Sequence, residues 1–197
     1  MEEDKNTKSN QSEKIVVFCL GDEEFGVNIS QVNRIIKIGA ITRVPDTPPH
    51  IVGVLNLRGK IIVMINLAKK LGLPSKEYDK NTRVINVESS NTVTGMIVDS
   101  ATELLIIDQD MIRPAPPMIA KKIHQDYLRG VAIIDERVLI LIDLTKVLDS
   151  EDFTSINEMH NAQNQSNSNE KDNNKSEEET SQNVESDLQP PAQENIQ

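Results

Sequence analysis

Apolar residues in this chain come in short runs separated by polar turns, the rhythm of β-strands rather than of long helices. The clearest run is Ile51–Leu67. It reads as a strand opened by Gly53-Val54, a polar reversal Leu57-Arg58-Gly59-Lys60, a continuous apolar stretch Ile61–Ile65, then Asn66-Leu67. The same pattern returns without a gap at Gly130–Leu144, seventy-seven residues later. There the reversal is Ile134-Asp135-Glu136-Arg137 and the end is Asp143-Leu144. Each copy predicts a β-hairpin feeding a short helix. One such hairpin cannot bury both faces of its apolar strand, so two copies predict two related subdomains packed together, with Ile65 and Ile142 matched in the core. The copies differ at the tip, Arg58-Gly59 in one and Asp135-Glu136 in the other.

The remaining pattern fills in around these hairpins. Residues 1–14 are polar and read as a flexible leader. Ile15–Leu20 is a strand, Gly21-Asp22 a turn, and Glu24–Ile29 alternates as a half-buried strand does. Ser30 stands where an N-cap would, and Val32, Ile35 and Ile36 fall at helical spacing, so Ser30–Ile36 is either one short helix or a bulged strand. Ile41–Val44 reads as a strand stopped by Pro45 and Pro48-Pro49. Asn66 is placed to cap a helix over Leu67–Leu71, ended by Gly72 and Pro74. Arg83–Val87 and Val93–Val98 form a hairpin across Ser89-Ser90-Asn91, and Leu104–Ile107 one more strand. Met111–Pro117 is an extended, proline-stiffened connection. The second repeat is longer there: Gly26 to Gly53 spans 27 residues, Gly95 to Gly130 spans 35. Asp143 caps a helix over Leu144–Leu148, and residues 153–160 allow a further short helix. From 161 to 197 the chain is Asn, Gln, Ser and Glu with almost no apolar residue, and reads as a disordered acidic tail.

Charge sharpens this division. Of a net −10, residues 151–197 hold eleven acidic side chains against two lysines, whereas residues 15–150 are balanced at sixteen of each sign. A neutral body with two Tyr, three Phe and no Trp has neither the field nor the stacking rings for nucleic acid. No stretch approaches the roughly 20 apolar residues of a membrane span, and the acidic start is no secretory leader, so a cytoplasmic protein is expected. The single Cys19 fits a reducing compartment and reads as a small core residue.

Nothing converges for catalysis. His50, His124 and His160 are isolated, without a second ligand at metal spacing. Gly53 to Lys60 superficially suggests a phosphate loop, but Ile61 follows where Ser or Thr is needed, and a strand rather than a helix comes next. Asp99, Asp135 and Asp143 are better explained as a strand end, a hairpin tip and a helix cap. A binding protein without metal or cofactor is expected, with a basic Arg-Gly tip on one subdomain.

Several separated motifs, in order, resemble the chemotaxis coupling proteins of the CheW family. They are Leu20–Ile29, Val44-Pro-Asp-Thr-Pro-Pro-His-Ile-Val-Gly-Val-Leu-Asn-Leu-Arg-Gly59, Gly95–Ser100, Ile112-Arg-Pro-Ala-Pro116 and Tyr127–Gly130. The resemblance covers Lys14 to about Asp152, and the domain is drawn over residues 15–152. It implies an all-β fold with short helices, two intertwined five-stranded SH3-like β-barrel subdomains sharing a core. It also implies a non-catalytic adaptor that couples the regulatory domain of the histidine kinase CheA to the cytoplasmic tips of methyl-accepting chemoreceptors, recruited to membrane receptor arrays through these partners. The positions matching the family's receptor groove are Val32, Gly53, Arg58 and Leu104; no kinase-contact residues are assigned. For Val32 and Leu104 plain core is the alternative, and for Gly53 close strand packing. The family often has an acidic residue where Arg34 stands, so Arg34 would face Arg58 without that ion pair. Outside the family, an SH3-like peptide-binding module in another signalling scaffold fits the same residues.

Overall fold

A computed structural model of the chain describes residues 11–89, 92–147, 152 and 154. Residues 1–153 form one unit and Thr154–Gln197 a second, of which only Thr154, exposed and helical, is described. The helix expected over 153–160 is otherwise outside the described residues, as are the tail 161–197 and the hairpin tip at 90–91.

The described residues form ten strands: β1 Ser12–Leu20, β2 Glu23–Asn28, β3 Val32–Lys37, β4 Ile51–Leu57, β5 Lys60–Asn66, β6 Arg83–Ser89, β7 Thr92–Val98, β8 Ser100–Asp108, β9 Leu128–Ile134 and β10 Arg137–Ile142. Two helices, α1 Leu67–Lys70 and α2 Pro117–Lys122, and three single 3-10 turns complete the set. The strands assemble into two five-stranded sheets, β8-β1-β2-β10-β9 and β3-β6-β7-β5-β4. Both orders follow from the duplication. Gly26 of β2 corresponds to Gly95 of β7, sixty-nine residues on, and Gly53 of β4 to Gly130 of β9, seventy-seven on. Hence β8, β1, β2, β10 and β9 are the counterparts of β3, β6, β7, β5 and β4, one for one. Each sheet takes two strands from one repeat and three from the other, which is what intertwines the SH3-like barrels.

The glycines show why the repeats match. A Cβ on Gly26 would lie 2.6 Å from Ile15 and 2.7 Å from Leu141, and one on Gly95 would lie 2.8 Å from both Met64 and Val84. Met64 and Leu141 are themselves repeat counterparts, so one tight contact is built twice. It sits where the parallel pairs β2–β10 and β7–β5 join the two repeats within a sheet.

Each sheet has two apolar faces. In the first, Ile15, Val17, Ile107, Ala132, Leu139 and Leu141 fill the barrel interior; in the second, Leu55, Ile62, Met64, Val84 and Ile97 do. The opposite faces are buried too: Phe18, Phe25, Val27, Ile140 and Ile142 on one sheet, Val63, Ile65, Ile85, Val87 and Met96 on the other. The Phe18 and Phe25 rings stack at 5.8 Å. β1 also packs on β7, so these outward faces form the core that the barrels share.

Asn66 caps α1 as expected, its Oδ1 accepting from Lys69 N–H at 2.9 Å. Other expectations need correction. β1 begins at Ser12, inside the leader drawn to residue 14, because Glu13 anchors it: Arg129 donates both Nη1 and Nη2 to the Glu13 carboxylate at 2.9 Å, joined by Asn28 and Gln109. Of the two alternatives for Ser30–Ile36, the bulged strand holds and the helix does not. Asn28 rather than Ser30 caps a single turn Ile29–Gln31, and β3 follows with a bulge between Val32 and Arg34. Ile41–Val44 is reduced to one bridge, Thr42 to Val54, since the prolines deny it a longer ladder. The extended connection gives way to a 3-10 turn, Gln109–Met111, at its start and to α2 beginning at Pro117, proline's favoured first helical position. Leu144–Val147 are turns, not helix: Asp143 Oδ1 accepts from both the backbone and the hydroxyl of Thr145, closing a local loop. Cys19 is half-buried at the end of β1 rather than in the core.

Two outcomes follow. Ile65 and Ile142, both fully buried, should each cost about 2–5 kcal/mol when truncated to Ala, read as a lower chemical-denaturation midpoint. An unchanged midpoint for either would refute their core role. The Arg129 hydrogen bonds, with smaller help from Asn28 and Gln109, outweigh burial and hold the Glu13 carboxyl down at about 2, from an ordinary 4.5. A carboxylate with a depressed folded pKa contributes stability present above its unfolded value and lost as pH falls through its folded one. That contribution should fade between about pH 4.5 and 2, and Glu13→Gln should flatten this part of an acid-denaturation profile.

Candidate partner-binding site

Both repeated hairpins close with two-residue turns in which each central residue has positive φ: Arg58 at 54° and Gly59 at 82°, Asp135 at 47° and Glu136 at 67°. That is the backbone of a type I′ turn, whose twist matches the flanking strands. Only Gly59 adopts it without steric cost. The Gly59 N–H donates to Asn56 Oδ1 at 2.8 Å, so backbone geometry and Asn56 close the first turn without any help from the Arg58 side chain. Arg58 is exposed, and among the described residues its guanidinium has no hydrogen bond or ion pair.

Gly53 is different. It is buried in β4 at φ 144°, and a Cβ there would lie 2.1 Å from the carbonyl oxygen of Thr42. That oxygen accepts from Val54 N–H at 2.8 Å while Thr42 N–H donates to Val54 at 2.9 Å. Gly130 does the same against Arg113, bridged to Val131. The close-packing explanation therefore accounts for Gly53. Val32 is half-buried at the start of β3, just after the turn Ile29–Gln31, which packs on β1. Leu104 lies on β8 opposite Val16 of β1 and is 52% exposed, so plain core does not describe it. Leu104 thus lies beside β1 in the first sheet, and Val32, paired with Val87 of β6, follows directly on the turn that packs on β1. Arg58 and Gly53 belong to the β4–β5 side of the second sheet, and no hydrogen bond or ion pair links any of the four residues.

Gln31 ties the junction together. Its Nε2 donates to Asp143 Oδ1 at 2.7 Å, and Leu144 N–H donates to its Oε1 at 3.0 Å. Sequence reasoning passed over Gln31, since nothing local marks a residue whose partners lie more than a hundred positions away. His50 was read as isolated for the same reason. Its Nε2 is 2.5 Å from Oδ1 of Asp152, whose other oxygen takes Lys70 Nζ at 2.5 Å. Asp152 is 1% exposed, so this carboxylate is held inside by two partners rather than offered to a ligand.

The three aspartates do not converge on a reaction. Asp99 accepts from Gly21 N–H at 2.7 Å, Asp135 occupies a hairpin tip, and Asp143 is engaged by Gln31 and Thr145. No group of three metal-ligating side chains occurs among the described residues. No helix among them is long and apolar enough to cross a membrane.

With this geometry in view, residues 14–152 match the model of the CheW-like domain family. The chain belongs to the CheW family. A chemotaxis protein CheW from Klebsiella aerogenes is 38% identical over 144 residues, 73% of this chain and 86% of that protein. One from Bacillus subtilis (strain 168) is 34% identical over 143 residues, 73% of this chain and 91% of its own. Among solved structures, the scaffolding protein TtCheW from Thermoanaerobacter tengcongensis aligns with a TM-score of 0.65 at 37% identity, covering 72% of this chain and 96% of that one. CheW-family membership makes the chain a non-catalytic chemotaxis scaffold, and the two intertwined SH3-like barrels are that fold.

Gly53→Ala should destabilise the fold by about 1–3 kcal/mol or more, since the new Cβ meets backbone and the φ is strained. A circular-dichroism melt is the check. Unchanged stability would free Gly53 for a direct binding role.

Proposed function

We propose that this protein couples the histidine kinase CheA, through the kinase's regulatory domain, to the cytoplasmic tips of methyl-accepting chemoreceptors. The observation that carries this reading is Arg58: an exposed guanidinium without a partner among the described residues, on a turn that needs nothing from it, in a member of a chemotaxis scaffold family. Its counterpart Asp135 occupies the same turn with the opposite charge, so the fold accommodates either. A guanidinium so placed is available to carboxylates and carbonyls of a partner. Val32 and Leu104 offer apolar surface near β1 for the same receptor segment. Gly53 contributes indirectly, by letting β4 and Thr42 approach so that the hairpin carrying Arg58 is held in position. The kinase contacts are not assigned to residues. The protein works in the cytoplasm, reaches receptor arrays through its partners, and requires no cofactor.

The decisive experiment reconstitutes receptor, kinase and this protein with kinase autophosphorylation as readout. Arg58→Gly is the sharper variant than Arg58→Ala, because glycine keeps the positive φ that the turn requires. Its thermal midpoint should stay within a degree or two or rise slightly, while coupling falls at least tenfold, the scale of a lost interface arginine worth about 2 kcal/mol. Normal coupling by Arg58→Gly would overturn the role given to this residue, and absence of any coupling by the unmodified protein would overturn the function itself.

A further inference from the structure

The duplication supplies an internal comparison at the mouth of each barrel. In the first barrel Arg137, the residue after the hairpin turn, donates Nη1 to Glu24 Oε1 at 3.1 Å and to Glu103 Oε1 at 3.0 Å. These three side chains come from β10, β2 and β8, so the ion pairs tie the hairpin to the edge strand. Their counterparts in the second barrel are Lys60, Val93 and Arg34. The register confirms the match: Glu103 pairs with Val17 and Arg34 with Asn86, while Ile140 beside Phe25, one residue on from Glu24, corresponds to Val63 beside Thr94, one residue on from Val93. Where one barrel has a cation between two carboxylates, the other has two cations and a valine.

Arg34, Arg58 and Lys60 are all exposed, and none of the three side chains has a hydrogen bond or ion pair among the described residues. Glu88, paired with Val93 across β6 and β7, brings one carboxylate to this rim; it accepts from Asn33 Nδ2 at 3.2 Å and keeps its charge, and the three cations outnumber it. The side chains on this rim have the reach and the charge for carboxylates, and none of the three cations is ion-paired among the described residues. We infer that the second-barrel mouth formed by Arg34, Arg58 and Lys60 is a recognition surface for an acidic segment of the partner, with Arg34 and Lys60 selecting partner carboxylates beside the Arg58 contact. The inference rests on the receptor-coupling reading and gives its chemistry: the receptor tip that docks here carries acidic side chains. Long-range attraction of this kind raises the association rate and is screened by salt, over a Debye length of about 8 Å at physiological ionic strength.

The test uses the full chain and, as probe, the purified cytoplasmic fragment of a chemoreceptor from the same organism, with binding kinetics measured at low and high salt. Arg34→Glu and Lys60→Glu should each slow association about tenfold at low salt, and the difference should shrink at high salt. Arg34→Glu places a carboxylate opposite Lys60, as Glu103 is opposite Arg137, so its melting temperature should hold or rise and a folding defect is separable. A fragment with its acidic tip residues changed to Lys should lose affinity for the unmodified protein and regain it with Arg34→Glu. If the fragment binds and Arg58→Gly weakens it, yet Arg34→Glu and Lys60→Glu leave rate and salt dependence unchanged, the acidic-partner inference is overturned while receptor coupling stands. If the fragment does not bind the unmodified protein at all, the coupling reading fails first.

Discussion

The constraint on which the rest depends is that both sheets are apolar on both faces. A barrel built from β8, β1, β2, β10 and β9 fills its own interior with Ile15, Val17, Leu139 and Leu141, yet still presents Phe18, Phe25, Ile140 and Ile142 on the outside. Water cannot be left against such a face, at roughly 25 cal/mol per Å² of apolar surface. The other sheet has the same surplus in Val63, Ile65, Ile85 and Met96. Each surplus is the cover for the other. Exchange of strands between the repeats makes the pairing permanent, because β3 to β7 cannot detach while β1, β2 and β8 to β10 close the first sheet from both ends of the chain.

This arrangement also sets where function can reside. The buried apolar side chains are committed to three apolar regions, Asp152 to its ion pairs, and the glycines at 26, 53, 95 and 130 to close approaches. What remains is the rims: hairpin tips, edge strands and the junction around β1. Such surfaces suit a scaffold, which needs rigid geometry and several separate contact areas, and do not suit a catalyst, which needs convergent groups in a shielded pocket.

The hairpins, the Asn66 cap and the paired cores were legible in sequence because each is local or periodic: alternation, a polar reversal, a capping side chain three residues before the amide it accepts from. The repeat made them doubly so. What was not legible depended on distant partners or on small competing biases. Helical spacing in Ser30–Ile36 lost to ladder pairing with β6, since a short helix there would leave the β6 edge unpaired. Asp143 was read by analogy with Asn66, but Thr145 competes for its oxygen and bends the chain into turns instead. α2 lies in the longer connection of the second repeat, where the first offers no template. Of the candidate site, Arg58 at a turn tip was plain from sequence. The exposure of Leu104 was not, because an edge strand and a central strand have the same apolar spelling; nor was the Glu103–Arg137 pair, whose residues are joined only by barrel closure.

An internal duplication works as a control experiment within one molecule. Two halves with the same backbone are subject to the same packing demands, so whatever the fold requires should appear twice. It does: Gly26 with Gly95, Gly53 with Gly130, Met64 with Leu141, Ile65 with Ile142. Exposed positions where the halves disagree in charge and the charge has no internal partner are those the fold leaves open. Arg58 against Asp135 and Arg34 against Glu103 are charge reversals on identical backbone, and Val93 against Glu24 removes the second carboxylate. All three fall at the same end of the second barrel. Other differences lie elsewhere, Glu13 and Arg129 against Thr82 and Val52 among them, but there the two charges answer each other in a bidentate ion pair, whereas at the second-barrel mouth the cations have no partner among the described residues. Charge without an internal partner, rather than difference alone, therefore sets the second-barrel mouth apart from the first barrel's mouth, which is closed on its own ion pairs.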